Sequence, residues 1–156
     1  MLQSTSKLIE LSYKKIAKPI FFKMDPEFVH DRMTYSGKLL GSNFMTRALA
    51  RVIFSYQNRI LKQNILGITF ENPIGLSAGF DKNAELTDII PSIGFGFEEV
   101  GSITGEFCEG NPKPRLWRHA DLQSLRVYYG LKNDGSETIS KRLSKKKFKF
   151  PIGISI

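Results

Sequence analysis

Around residue 60 the hydrophobic periodicity of this chain changes from helical to strand-like, and that change narrows the available folds more than any other feature. Before it, Leu8, Ser12, Ile16 and Ile20 recur every four residues beside Ile9 and Tyr13, while Lys7, Lys14, Lys15 and Lys18 fill other faces. This spacing predicts an amphipathic helix with a basic side, ended or kinked at Pro19. Asp25-Pro26-Glu27 supplies a cap, a first-turn proline and a first-turn acid for a second helix toward Leu40, with Gly41 as its terminator. Phe44, Ala48, Val52 and Tyr56, beside Met45, Leu49 and Ile53, predict a third helix to about Asn58.

From Ile65 onward the apolar runs are short. Ile65 to Phe70 and Ile74 to Ala78, separated by Glu71-Asn72-Pro73, read as a hairpin. The second run ends in Gly79-Phe80-Asp81-Lys82, and Leu86, Ile89, Ile90 and Ile93 then suggest a short helix with Pro91 as an awkward guest. Phe95 to Ser102, Leu125 to Tyr129 and Pro151 to Ile156 read as three further strands, and Ser136 to Lys147 as a helix carrying Ile139 and Leu143. Strands separated by helices or long crossovers predict a parallel sheet in an α/β fold. Because the last apolar strand has no helix after it to cover it, the chain is expected to be unfinished. The expected division is a helical extension over 1–62 and an α/β unit over 63–156.

A length of 156 residues fits one domain at about 150 residues each. One cysteine, Cys108, excludes an internal disulfide framework and a multi-cysteine metal centre, so no metal is expected; it reads as an ordinary free thiol. No run of about 18 apolar residues occurs, which excludes a transmembrane helix of ordinary length. The lysines scattered through the first 22 residues do not match a secretory leader, so secretion is not expected. A net charge of +8 favours anionic partners. The six basic residues between Lys141 and Lys149 raise the question of nucleic acid, but a basic run without a recognition fold is more simply a solvated helix face.

Two segments carry candidate chemistry. Ser77-Ala78-Gly79-Phe80-Asp81-Lys82 ends a strand in small residues, which let a planar ring or a phosphate approach the backbone, and then presents a lysine able to stabilise negative charge on a reduced flavin. Gly101-Ser102-Ile103-Thr104 ends the next strand with a hydroxyl, at the carboxyl edge where parallel α/β folds bind ligands. Read alone, each is also an ordinary turn or loop. Neither GxGxxG nor GxxxxGKS is present, so neither a dinucleotide nor a P-loop fingerprint supports the site.

In order along the chain, Asn72 to Glu85, Gly94 to Thr104 and Gly110-Asn111-Pro112-Lys113-Pro114-Arg115-Leu116-Trp117-Arg118 together resemble dihydroorotate dehydrogenase. Met24-Asp25-Pro26-Glu27 with His30 resembles the helical extension of its class 2, quinone-dependent branch. The resemblance implies the N-terminal half of a (β/α)8 barrel behind a small helical extension, since a whole barrel takes about 250 residues and only about 85 follow Asn72. It implies FMN as cofactor, dihydroorotate and orotate as substrate and product, and quinone as acceptor. Ala78, Gly79, Lys82, Ser102 and Ser155 are the implied flavin contacts, with Lys82 also reaching the substrate. The segment Tyr128, Tyr129, Gly130 and Leu131 is the implied substrate loop, and His30 and Arg118 line the implied quinone tunnel. Two positions depart from the family pattern: Val127 stands where an asparagine binds orotate, and Ser155 where an asparagine meets the flavin. The catalytic base is expected beyond Ile156, leaving this chain inactive alone. A separately encoded C-terminal half is the expected protein partner, with peripheral contact at the cytoplasmic face of a membrane or a cytoplasmic location. The alternatives are a non-catalytic membrane-binding or nucleic-acid-binding fragment.

Overall fold

The computed structural model describes residues 2–156. The first helix, α1 (Leu2–Ser12), does not stop at Pro19: it passes through a widened turn at Tyr13–Ala17 into α2 (Lys18–Phe21). Pro19 falls in the first turn of α2, where a missing backbone donor is tolerated. The second long helix, α3 (Pro26–Ser42), begins as the sequence predicts, with Phe28 N–H donating to Asp25 Oδ1 at 2.8 Å. Gly41, expected to end it, is buried inside its last turn. A Cβ there would stand 3.2 Å from Asp88 Cβ and 3.3 Å from the Ile89 backbone nitrogen, so this glycine lets α3 pack closely on the chain that follows the first parallel strand. The break comes at extended Asn43, whose side chain caps α4 (Phe44–Phe54). That helix ends four residues before Asn58, where Ser55 turns extended.

The hairpin lies earlier than the sequence predicts. The strand β1 (Gln63–Ile65) pairs antiparallel with β2 (Ile68–Phe70) through Leu66-Gly67, both at positive φ (53° and 80°), as a two-residue turn that follows strand twist requires. Glu71-Asn72-Pro73 is instead the link into the parallel sheet. There Ile74 N–H donates to Asn72 Oδ1 at 2.9 Å, and Asn72 Nδ2 donates to the Gly94 carbonyl at 3.0 Å.

The remaining elements are β3 (Gly75–Leu76), β4 (Phe97–Val100), β5 (Leu116–His119), β6 (Ser124–Val127), α5 (Ser136–Ser144) and β7 (Ile152–Ile154). The parallel sheet has the order β3-β4-β7, with Gly75 opposite Phe97 and Glu98 opposite Ile152. It contains three of the four strands expected. Leu125 to Tyr129, read as a barrel strand, contributes instead to an antiparallel ribbon with β5, which sequence reading missed. The reason is physical: Ser124-Leu125-Arg126-Val127 is exposed along its whole length and cannot be a strand covered on both faces. The helix expected around residues 86–93 is reduced to a 3-10 turn at Ile90–Ile93, in which Pro91 sits comfortably in the first turn.

Two apolar clusters hold the parallel sheet. Ala84, Val100, Ile103 and Ile139 form one, closed by Leu143 and Ile152, so α5 covers one face of β4 and β7. Leu86, Ile89 and Ile90 form the other, with Ala50, Leu76, Ile93, Phe95 and Phe150 around them, which fastens α4 to the turn before β4.

Candidate active site

The carboxyl ends of β3, β4 and β7 meet at one edge of the sheet. Gly79, at φ 97°, donates its N–H to the Gly101 carbonyl at 2.8 Å, and Gly101 N–H donates back to the Asp81 carbonyl at 3.1 Å. Ser155 N–H donates to the Val100 carbonyl at 2.9 Å and Ile103 N–H to the Ser155 carbonyl at 2.8 Å. These bonds bring the hydroxyls of Ser102 and Ser155 to 2.8 Å from one another. Thus Ala78, Gly79, Ser102 and Ser155, four of the residues expected to hold a cofactor, lie on one edge. Nothing stands within 4 Å of where a Gly79 side chain would be.

Lys82 follows directly. Asp81, itself buried, shapes its turn: Asp81 Oδ1 accepts from the N–H groups of Asn83 (3.3 Å) and Glu85 (2.9 Å), and Oδ2 accepts from Leu86 N–H at 2.6 Å. The Lys82 ammonium lies 4.1 Å from the centre of the Tyr129 ring, and the Arg115 guanidinium lies 5.1 Å from that ring. Burial is the largest influence on Lys82 and lowers its pKa to about 8; Asp31 opposes this and Lys132 adds to it. Tyr129 is buried, its hydroxyl has no hydrogen-bond partner among the described residues, and burial with the charges of Glu27 and Asp31 raises its pKa. Its neighbours on the expected substrate loop differ: Tyr128 and Leu131 are exposed, and Gly130, at φ 68°, runs against the Asn111 side chain.

The helical extension closes the other side. His30 on α3 donates from Nε2 to the Phe80 carbonyl at 2.9 Å, with its ring 5.0 Å from the Phe80 ring centre. A cleft of about 200 Å³ opens between α3 and the turn after β3, lined by His30, Asp31, Lys38, Phe80, Lys82 and Lys132 among others. Arg118 is not part of that lining. It donates from Nη1 to the Met24 carbonyl at 2.7 Å and covers Phe22 at 5.1 Å, tying β5 to the link between α2 and α3.

Sequence reading did not find the buried ion pair beneath this junction. The Glu27 carboxylate accepts bidentately from Arg115, whose Nη2 donates to Oε1 at 2.8 Å and Nε to Oε2 at 3.1 Å, while Arg115 Nη1 donates to the carbonyls of Glu109 and Asn111. In the sequence Glu27 is a first-turn acid and one residue of the Met24-to-Glu27 resemblance, and no local pattern links it to an arginine 88 residues away. Asn133 is a second support, donating from Nδ2 to Thr104 Oγ1 at 2.8 Å and accepting at Oδ1 from Gly135 N–H at 2.8 Å.

The family model described as dihydroorotate dehydrogenase matches residues 60–156, which includes this whole carboxyl edge. The chain belongs to the dihydroorotate dehydrogenase family. The curated dihydroorotate dehydrogenase (quinone) of Sulfurimonas denitrificans is 45% identical over 150 residues, covering 94% of this chain and 42% of that protein. The one from Gloeobacter violaceus is 36% identical over 146 residues, covering 91% and 40%. The crystal structure of the Eimeria tenella dihydroorotate dehydrogenase in complex with ferulenol superposes with a TM-score of 0.66 at 33% identity, over 83% of this chain and 35% of that one. This chain therefore spans about two fifths of the length of the dihydroorotate dehydrogenases it matches. Its three parallel strands and the helices around them are part of an α/β barrel, and the edge described above is the face on which such barrels carry their active sites.

Proposed function

We propose that this chain supplies the helical extension and the opening barrel strands of a quinone-dependent dihydroorotate dehydrogenase that oxidises dihydroorotate to orotate in pyrimidine synthesis. The observation that carries the reading is the placement of Lys82, a desolvated ammonium at the carboxyl end of β3, across a cleft from His30 of the helical extension. One turn thereby serves both a ligand on the barrel edge and a second ligand arriving between barrel and helices.

The residues present fit FMN. The open space above Gly79 admits a flat ring to the backbone, and the paired hydroxyls of Ser102 and Ser155 offer donors and acceptors beside it. FMN, when bound, supplies the ring that takes hydride from dihydroorotate and passes electrons to quinone. The chain's own contribution is electrostatic and positional. Lys82 holds positive charge where anionic substrate and electron-rich ring would lie, and the Tyr129 face fixes the ammonium from below. His30, anchored to the Phe80 carbonyl, joins the quinone-side wall rigidly to the flavin-side turn. Arg118 steadies that wall from the other end through Met24. Tyr128, Gly130 and Leu131 remain the proposed substrate loop, and Val127 offers no side-chain hydrogen bond to a substrate.

The exposed apolar side chains of Leu8, Leu11, Ile16 and Ile20, beside Lys15, Lys18 and a Lys14 that is paired with Glu10, support peripheral contact with an anionic bilayer. Among the described residues no helix is long and apolar enough to cross a membrane. In the basic run near the end of the chain, Lys141, Arg142 and Lys146 are already paired with Glu137, Asp134 and Asp88. That pairing favours a solvated helix face over a nucleic-acid grip.

The test is to co-express this chain with the C-terminal three fifths of the Sulfurimonas denitrificans relative. Bound FMN that bleaches on addition of dihydroorotate without oxygen, recovers with a soluble quinone, and fails to bleach at the parental rate in Lys82→Ala is the expected result. An assembled complex that binds FMN but is never reduced by dihydroorotate overturns the reading.

A further inference from the structure

Glu98 is fully buried on β4, and among the described residues no N–H or hydroxyl group donates to either oxygen of its carboxyl group. Strand alternation puts it there. Val100, two residues on, shares its face and packs under Ala84 and Ile139, whereas Glu99 points the other way and is exposed. The face that carries Glu98 is thus the one covered by the turn after β3 and by the chain around α5.

The charged groups facing Glu98 come from three segments: Asp81 in the turn after β3, within hydrogen-bonding reach; Asp88 before the 3-10 turn; and Lys146 past the end of α5. Lys146 is already engaged, donating from Nζ to Thr87 Oγ1 at 2.8 Å and to Asp88 Oδ2 at 2.7 Å. Asp81 is committed as an acceptor to three backbone N–H groups. An ionised Glu98 would face a second carboxylate out of solvent, with Lys146, the one cation facing it, already bound to Asp88, and in such an arrangement one of two acids keeps its proton.

We propose that Glu98 is held as a neutral carboxylic acid whose O–H donates to Asp81, and that this bond braces the turn presenting Lys82. Glu98 is then a positioning residue that acts through Asp81 and loosens the turn when it loses its proton. Burial first, then the Asp81 charge, raises its pKa to about 8. A group raised in the folded state contributes stability that is complete below its unfolded value of 4.5 and is lost as pH rises toward 8. The hold on the Lys82 turn therefore weakens through neutrality and levels off above it.

The test uses the 156-residue chain without flavin, so its outcome is separate from that of the proposed enzymatic activity. Infrared spectra at neutral pH are expected to show the carbonyl stretch of one un-ionised carboxyl group, disappearing with a midpoint near 8 and absent from Glu98→Gln. Amide exchange at Asn83, Glu85 and Leu86, corrected for intrinsic base catalysis, is expected to accelerate by about tenfold per pH unit from about pH 5 to about pH 8 and then level off. In Glu98→Gln, whose amide still donates to Asp81, exchange is expected to stay slow with no such rise; in Glu98→Ala it is expected to be fast throughout. A parent chain with no un-ionised carboxyl band at neutral pH overturns the proposal, and this measurement needs no variant to fold. An exchange rise that persists unchanged in Glu98→Gln overturns it as well.

Discussion

Replacing Arg115 by alanine removes three hydrogen bonds to Glu27 and two to backbone carbonyls from a pair whose members are each 3% exposed. The Glu27 carboxylate would keep only Lys113 at 3.3 Å and Lys132 at 3.7 Å, and the Lys113 side chain is 63% exposed. Breaking a buried pair by removing one partner costs about 3–5 kcal/mol, whereas an exposed pair contributes about 0–1 kcal/mol. Arg115→Ala is therefore expected to cost about 3–5 kcal/mol and Lys113→Ala less than about 1 kcal/mol. Against a typical total of about 5–15 kcal/mol, the first is a large share. The assay is urea unfolding followed by fluorescence of Trp117, the one tryptophan, which lies on β5 two residues after the substituted position. Burial raises the pKa of Glu27, but hydrogen bonds from Arg115 and Lys113 outweigh it and leave the group below its ordinary value. The stability it contributes is accordingly present above 4.5 and lost as pH falls through the lowered folded value. The double variant Glu27→Gln with Arg115→Ala is expected to lose less than the two single losses combined. Equal midpoints and slopes for Arg115→Ala and Lys113→Ala would refute the reasoning.

Four further outcomes are expected. The Lys82 ammonium should titrate near 8 by nitrogen-detected NMR, and Asp31→Asn should move the midpoint lower, because Asp31 is the charge that favours the protonated form. Gly96→Ala should cost roughly 1–3 kcal/mol in thermal or urea unfolding, since its Cβ would fall 2.2 Å from the Asn72 carbonyl oxygen, while Gly105→Ala, with nothing within 4 Å, should be close to neutral. The 156-residue chain alone should emerge from gel filtration with less than one flavin per protein, because much of a cofactor's surface would be left wet. Sedimentation with anionic vesicles at low salt should carry the chain down reversibly, and Lys14→Glu with Lys15→Glu should weaken that association.

Legibility in the sequence followed the range of the interactions. The start of α3 was readable because Asp25, Pro26 and Glu27 act within one turn, and β4 because Phe95, Phe97 and Val100 fall between the turn residues Gly94 and Gly101. The hairpin turn was misplaced because Leu66 adopts a left-handed conformation that leucine rarely takes, so nothing at Leu66-Gly67 outweighed the Asn72-Pro73 signal. Likewise β6 was assigned to the wrong sheet because its partner β5 lies in a proline-rich neighbourhood that reads as loop. At the site, Lys82 and His30 stood out through the resemblance of their surrounding motifs. The burial of Tyr129 did not, since it depends on Lys82 and Arg115 arriving from distant segments. Glu98 was hidden for the opposite reason: one more acid in a charged dipeptide looks like solvent-facing polarity until the strand's register is known.

Beside the Ser102–Ser155 hydroxyl contact, four of the bonds joining the carboxyl ends of β3, β4 and β7 run through main-chain atoms alone: Gly79 to Gly101, Gly101 to Asp81, Ser155 to Val100 and Ile103 to Ser155. A bond of that kind has no side chain to delete. Ordinary substitutions at Phe80 or Ser155 change what the edge displays while leaving these main-chain bonds intact, so the frame that aligns the site is insulated from most single-codon drift at its unburied positions. The exceptions act on the backbone: proline at Ile103 or Ser155 removes the donor itself, and any side chain at Gly101 would place a Cβ 2.6 Å from the Ser155 carbonyl oxygen. The tolerance of this edge to inherited change is therefore expected to be broad in chemistry and narrow in backbone, with variation free to retune the ligand face without unfastening the strands beneath it.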